Sequence, residues 1–171
     1  MDDDIDRGPL SDRSKIGWER DISKKLERCL HSCSSTESDL TFVLIELVDV
    51  SNDEVYTQSV NEALDLYGQR DMLFEYGRWG IAAIIPGINL EEAVTISEKY
   101  YQKVTDKYPR SFSSSALYIG ITSRSGRLLR EDRMILEAKE ALKKAKTELK
   151  TSIVAFKSDP DKYREFIRKQ K

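Results

Sequence analysis

The sequence predicts an α+β fold: a central, mostly antiparallel sheet of five strands flanked by helices. Apolar residues recur at steps of three and four in several stretches, which marks amphipathic helices. Short β-branched, apolar runs lie between them and mark buried strands. The resulting order, α-β-α-β-β-α-β-α-β-α, contains β-α-β-β-α-β, the split ferredoxin-like unit. With 171 residues, of which 39% are hydrophobic, the chain can bury the core of one domain.

Residues 1–13 hold five Asp with one Gly and one Pro, and read as a flexible acidic lead-in to a single domain over 14–171. Trp18, Ile22, Leu26, Cys29, Leu30 and Cys33 make the stripe of a first helix, which Ser32, Ser34, Ser35 and Thr36 end. Residues 40–48 read as a strand buried on both faces. Ser51, Asn52 and Asp53 can cap the next helix, whose stripe is Val60, Ala63, Leu64 and Tyr67, with Gly68 closing it. Residues 71–86 read as a hairpin: 72–74 and 81–85 are the arms, and Gly77 and Gly80 bracket Arg78 and Trp79 at the tip. Asn89 and Glu92 form a capping-box pattern ahead of the stripe Leu90, Ala93, Val94, Ser97, Tyr101, Val104.

Residues 112–115 read as a loop and 116–122 as a strand with Gly120 inside it. A long helix over 130–150 presents Ile135, Ala138, Ala141, Leu142 and Ala145 on one face. Residues 152–156 read as the last strand. Pro160 then sits at the first position of an added C-terminal helix, about 160–170, with Tyr163, Phe166 and Ile167 facing inward.

Composition excludes several function classes. Lys+Arg total 28 and Asp+Glu 30, a net charge of −2, so no whole-chain field favours nucleic acid or an anionic membrane. The longest apolar run, 42–48, is far short of a membrane span and is interrupted by Glu46. The acidic start lacks the pattern of a secretion signal. Cys29 and Cys33 are the only cysteines, so this is not a disulfide scaffold. On a helix His31 points about 200° away from Cys29, and the chain has no other His or Cys to complete a zinc site, so core packing is the better reading of the cysteines. The expected setting is the cytoplasm.

The hairpin, Glu75-Tyr76-Gly77-Arg78-Trp79-Gly80-Ile81-Ala82-Ala83-Ile84-Ile85-Pro86, resembles that of GGDEF domains, the diguanylate cyclase family. There a Tyr precedes the signature, and an apolar strand ending in Pro follows it. Residues 42–49 resemble the family's first strand with its acidic metal ligands, and Tyr118-Ile119-Gly120-Ile121 resembles its S-I-G-V strand. Residues 136–146 resemble its A-D-x-A-L-Y-x-A-K helix, and Pro9-Leu10-Ser11 its opening P-L-T-G. These pieces occur in the family's order over about residues 9–156. The resemblance implies a nucleotide-cyclase palm.

The signature itself departs from the pattern. On Gly77, Arg78, Trp79, Gly80 and Ile81 only the first glycine is kept. Arg78 stands where the family's second glycine lets a GTP phosphate approach the backbone. Trp79 and Gly80 replace the acidic pair, and Gly80 has no side chain with which to ligate the metal that polarises GTP. Glu46 falls on the first metal-ligand position, Val48 on the next acidic one, and Asp49 points to the opposite face of the strand. Glu46 is thus the one candidate Mg²⁺ ligand; its alternative is a carboxylate paired or solvated near a strand end. The guanine-recognition motifs that follow the first strand in the family are missing. Asp71 falls on the Asp of the product-inhibition motif R-x-x-D, but Gly68 falls on its Arg, with Arg70 nearby. Lys146 matches the family's phosphate-contacting Lys. With Arg78, Lys143 and Lys144 it makes either a basic groove or a solvated face paired with Glu137 and Glu140.

Two further features carry alternatives. Arg124, Arg127, Arg130 and Arg133 form either a docking face or, with Glu131 and Asp132, a solvated turn. Trp79 is either packed within the chain or a protein-contact residue at the hairpin tip.

The expected function is therefore regulatory: a catalytically inactive GGDEF-like module in cyclic di-GMP signalling that binds a protein partner or itself. The alternative is a sensor that binds GTP or a cyclic dinucleotide without turnover through Arg78 and Lys146. No cofactor, nucleic acid or membrane contact by this segment is expected. The resemblance also admits the cytoplasmic part of a larger, membrane-anchored sensor, and the sequence leaves open an excised domain or a standalone protein.

Overall fold

Strand parity organises the molecule. The computed structural model describes residues 9–48, 50, 52–107, 117–147 and 152–156. Its elements are α1 (Ile22–Ser35), β1 (Leu40–Leu47), α2 (Asp53–Tyr67), β2 (Leu73–Tyr76), β3 (Gly80–Pro86), α3 (Leu90–Lys107), β4 (Leu117–Ser123), α4 (Glu131–Thr147) and β5 (Ile153–Phe156). The strands form one sheet in the order β2-β3-β1-β4-β5. β1 is antiparallel to both β3 and β4, β2 is antiparallel to β3, and only β5 runs parallel to its neighbour β4.

Successive side chains of a strand face opposite ways. Val43, Ile45 and Leu47 of β1 therefore join Tyr56, Val60 and Ala63 of α2 and Ala93, Tyr100 and Val104 of α3 in one core layer. Leu40, Phe42 and Leu44 join Leu26 and Leu30 of α1 and Met134, Ala138 and Leu142 of α4 in the other. Glu46 continues the second set and so emerges beside α4. Gly120 is needed where α4 crosses β4: a Cβ there would lie 2.4 Å from the Leu142 nitrogen and 2.6 Å from the Ala138 oxygen.

Local signals in the sequence hold. The Asn52 side chain accepts from the Val55 N–H (3.0 Å) at the start of α2. Asn89 and Glu92 cap α3 reciprocally, at 3.0 and 2.8 Å. Observed strand bounds differ from the expected ones by at most two residues, and the start of β1 and the end of β5 coincide. The expected loop at 112–115 and the helix at 160–170 lie outside the described residues.

Part of the segment expected as a flexible lead-in is held against the sheet. Residues 1–8 lie outside the described residues, but 9–13 are held. Ser11 is buried, Leu10 pairs with Gly17, and Gly17 pairs in turn with Phe74. The Gly17 N–H donates to the Leu73 carbonyl and the Glu75 N–H to the Gly17 carbonyl, both at 2.8 Å. This segment thereby covers the outer edge of β2, whose backbone groups need partners. No helix of the described residues is long and apolar enough to cross a membrane.

Candidate functional site

The β2–β3 turn lies at one end of the sheet, between the C-terminal end of β1 and the start of α2. Gly77 takes φ +60°, a conformation that favours glycine, and its N–H donates to the Glu19 carboxylate (2.8 Å). Gly80 pairs directly with Glu46 in the β1–β3 ladder. Its carbonyl accepts the Tyr56 hydroxyl at 2.6 Å. A Cβ at Gly80 would lie 2.3 Å from the Tyr76 oxygen and 2.8 Å from the Ile45 oxygen. The backbone has closed over this position, so no side chain of any kind fits it.

Trp79 turns inward. It is half-buried, its ring centroid lies 5.7 Å from that of Tyr56, and its carbonyl accepts from the Leu47 N–H. Of the two alternatives for this residue, packing within the chain is the one observed. Arg78 lays its guanidinium over the Trp79 ring, 5.1 Å from the centroid, and remains exposed.

The residue that sequence reasoning missed is Arg13. Its guanidinium sits 4.1 Å over the Tyr56 ring and 5.4 Å over Trp79. It donates to both oxygens of Glu75 (3.1 and 3.3 Å), to Asp53 (3.3 Å) and to the Arg78 carbonyl (3.1 Å). Ser14 adds a 2.6 Å hydrogen bond to Glu75, which is almost fully buried. Burial alone would lower the Arg13 pKa, but the hydrogen bond and charge of Glu75 hold it above its ordinary value. Burial, reinforced by the Glu75 charge, pushes the Tyr56 hydroxyl well up and keeps it neutral. Arg13 thus fills the space between the turn and α2 and ties the N-terminal segment to both.

The structure brings Glu46 together with Lys146, at 2.9 Å between Nζ and Oε2. A Mg²⁺ ion wants several oxygen ligands in octahedral array. Here a cation already sits on Glu46, and Gly80 cannot contribute. Asp49 lies outside the described residues, and among those described no cluster of three metal-ligating side chains occurs. The described residues do not fit a GTP-polarising metal. Of the two alternatives for Arg78, Lys143, Lys144 and Lys146, a basic groove or a face paired with Glu137 and Glu140, neither describes Lys146, which is engaged by Glu46. Arg70, near Asp71 in sequence, donates to the Ser14 and Lys15 carbonyls (3.3 and 3.2 Å).

Neither alternative for the arginine series describes Arg124 and Arg127. Arg124 is 2% exposed and donates to the Ser38 carbonyl. Arg127 grips Glu137 with two bonds, 2.7 and 2.9 Å, and Thr122 and Arg133 bond the same carboxylate. Glu137 is fully buried, so it is not a lysine-paired surface residue. Burial alone would raise its pKa; the hydrogen bonds from Arg127 and Thr122 more than offset this and hold it below the ordinary value. The signal was present in the spacing: Glu137 lies three residues after Met134 and four before Ala141, on the apolar stripe itself.

No family model matches the chain. A Treponema pallidum protein described only as uncharacterized is 27% identical over 78 residues, 45% of this chain and 45% of that protein, so the match spans less than half of that relative. Solved structures are more informative. The GGDEF domain of DgcB from Caulobacter crescentus, in complex with c-di-GMP, superposes with a TM-score of 0.75 at 13% identity, covering 88% of this chain and 94% of that one. The GGDEF domain of FimX from Pseudomonas aeruginosa gives 0.69 at 15% identity, over 86% and 99%. The diguanylate cyclase SiaD from the same organism, in complex with its activator SiaC, gives 0.73 at 14% identity, over 86% of this chain and 62% of that one. The chain therefore has the α+β palm fold of the GGDEF domains of diguanylate cyclases.

Proposed function

We propose that this chain is a GGDEF-fold domain that does not synthesise cyclic dinucleotide and acts in signalling as a regulatory, protein-contact module. The observation that carries this reading is Gly80. At the position where the resemblance puts a metal-ligating acid, the surrounding backbone carbonyls exclude even a Cβ. Beside it, Lys146 sits on Glu46 and Arg13 is wedged against Tyr56 and Trp79. Phosphoryl and nucleotidyl transfer depend on metal ions to neutralise developing charge, and the described residues offer no set to hold them. SiaD, of the same fold, was solved with a protein activator. Contact with a protein is the interaction we carry to this chain.

The competing reading is a nucleotide sensor using Arg78 and Lys146. Thermal unfolding with GTP, cyclic di-GMP and ATP, each with and without Mg²⁺, separates the two. A ligand at 100 times its Kd adds about 2.7 kcal/mol, a rise of roughly 5–10 °C for a domain of this size. The module reading predicts no rise at millimolar nucleotide. A rise that Arg78→Ala with Lys146→Ala removes would establish the sensor instead.

A further inference from the structure

We infer that the outer face of α4 is a self-complementary docking surface and that its partner is a second copy of this chain, paired antiparallel. The inference rests on the protein-contact reading above and gives it a surface and a partner.

Among the described residues, the two exposed large apolar side chains are Leu128 (85%) and Leu136 (45%). Leu136 belongs to this face, while Leu128 lies in the segment just before α4. A shallow groove of about 530 Å³ lies here, lined by Ser23 of α1 and by Asp132, Arg133, Ile135, Leu136 and Lys139 of α4. The inward face of α4, with Met134, Ala138 and Leu142, is already used in the core.

The charge pattern selects the occupant. Asp132 and Lys139 are seven residues apart, hence on one face and about 10 Å apart along the axis. The point midway between them falls between Ile135 and Leu136. A two-fold axis through that point, perpendicular to the helix, sets Asp132 of each copy opposite Lys139 of the other. The same operation sets Leu136 of each copy level with Ile135 of the other, one residue's rise from the second copy's Leu136. On the Leu136 flank it places Glu140 near Arg133 of the second copy. Arg133 commits its Nε to Glu137 but keeps a half-exposed guanidinium. A parallel arrangement would instead put Asp132 on Asp132 and Lys139 on Lys139. The Arg130–Asp132 pair is highly exposed at both ends and is readily exchanged for an intermolecular one. A contact of one helix and its rim is small, so the dimer forms at high micromolar protein.

Sedimentation equilibrium on the full chain, over a protein range up to high micromolar, tests this with a charge swap. Asp132→Lys is expected to raise the dimer Kd about tenfold, because like charges then face each other twice. Lys139→Asp should do the same, and the double variant Asp132→Lys with Lys139→Asp should return to within a few-fold of the parent. Leu136→Asp should leave a monomer. Circular dichroism and melting temperature check that each variant keeps its fold, which the exposure of all three positions favours. A parent monomeric throughout, or a double variant no better than the singles, overturns the inference. A monomer that also fails to turn over GTP removes the dimer and leaves the module reading intact. Cyclic dinucleotide formation would remove the module reading whatever the dimer does.

Discussion

Gly80 stands opposite Glu46 in the β1–β3 ladder, and the Tyr76 and Ile45 carbonyls crowd the space its side chain would occupy. Restoring an acid at this position should therefore not restore a metal site. Gly80→Glu and Gly80→Ala are both expected to lose stability, roughly 2–4 kcal/mol. Thermal melts check this. A Gly80→Glu protein as stable as the parent, with new Mg²⁺ binding by titration calorimetry, would contradict it.

Arg13→Ala should cost about 2–4 kcal/mol, chiefly by leaving Glu75 buried without its cation. The double variant Arg13→Ala with Glu75→Gln should cost less than the sum of the two single effects, since the groups share one set of bonds. A double-mutant cycle by chemical denaturation measures the coupling; strict additivity would show that Arg13 is not held as described.

How much of this was legible in the sequence differs by kind of feature. The strand runs, the Asn89–Glu92 capping box and the Gly77 turn are local, so neighbouring residues report them. The parity of β1 also places Glu46 on the face that α4 covers, and Lys146 matched a position beside the site. That the two pair was not legible, because the contact joins residues 100 positions apart. Arg13 was unreadable for the same reason: its partner Glu75 lies 62 positions on, and an acidic, Gly/Pro-bearing surround argued for a loose segment. Glu137 is the opposite case. Its place on the apolar stripe is visible, but the lysines nearby in sequence offer it charge pairing as well.

Removing Arg127 should be among the most damaging single changes. Arg127→Ala leaves a fully buried carboxylate short of two of its bonds, an expected loss of about 3–5 kcal/mol. Denaturant melts read the change in midpoint.

Glu137 also sets an acid limit. Its folded pKa is depressed below the ordinary value of 4.5, so the unfolded chain takes up the proton first. Its contribution is present above the unfolded pKa and is lost as pH falls through the folded one. Stability measured from neutral pH down to acid should fall below about pH 4.5, and Glu137→Gln should flatten that limb while lowering the neutral plateau. An unchanged acid limb in the variant would contradict the assignment.

Lys146→Ala should change stability by less than about 1 kcal/mol, since its pair with Glu46 is well exposed at both ends. Melts at low and high salt should converge for parent and variant.

The central claim is that the fold is kept while the chemistry is lost. The most direct measurement is product formation from GTP with Mg²⁺ or Mn²⁺, read by chromatography for cyclic dinucleotide and by a pyrophosphate assay, on protein shown to be folded. The account predicts no product above a heat-denatured control with either metal. Time-dependent cyclic dinucleotide, abolished by Glu46→Ala, would contradict it.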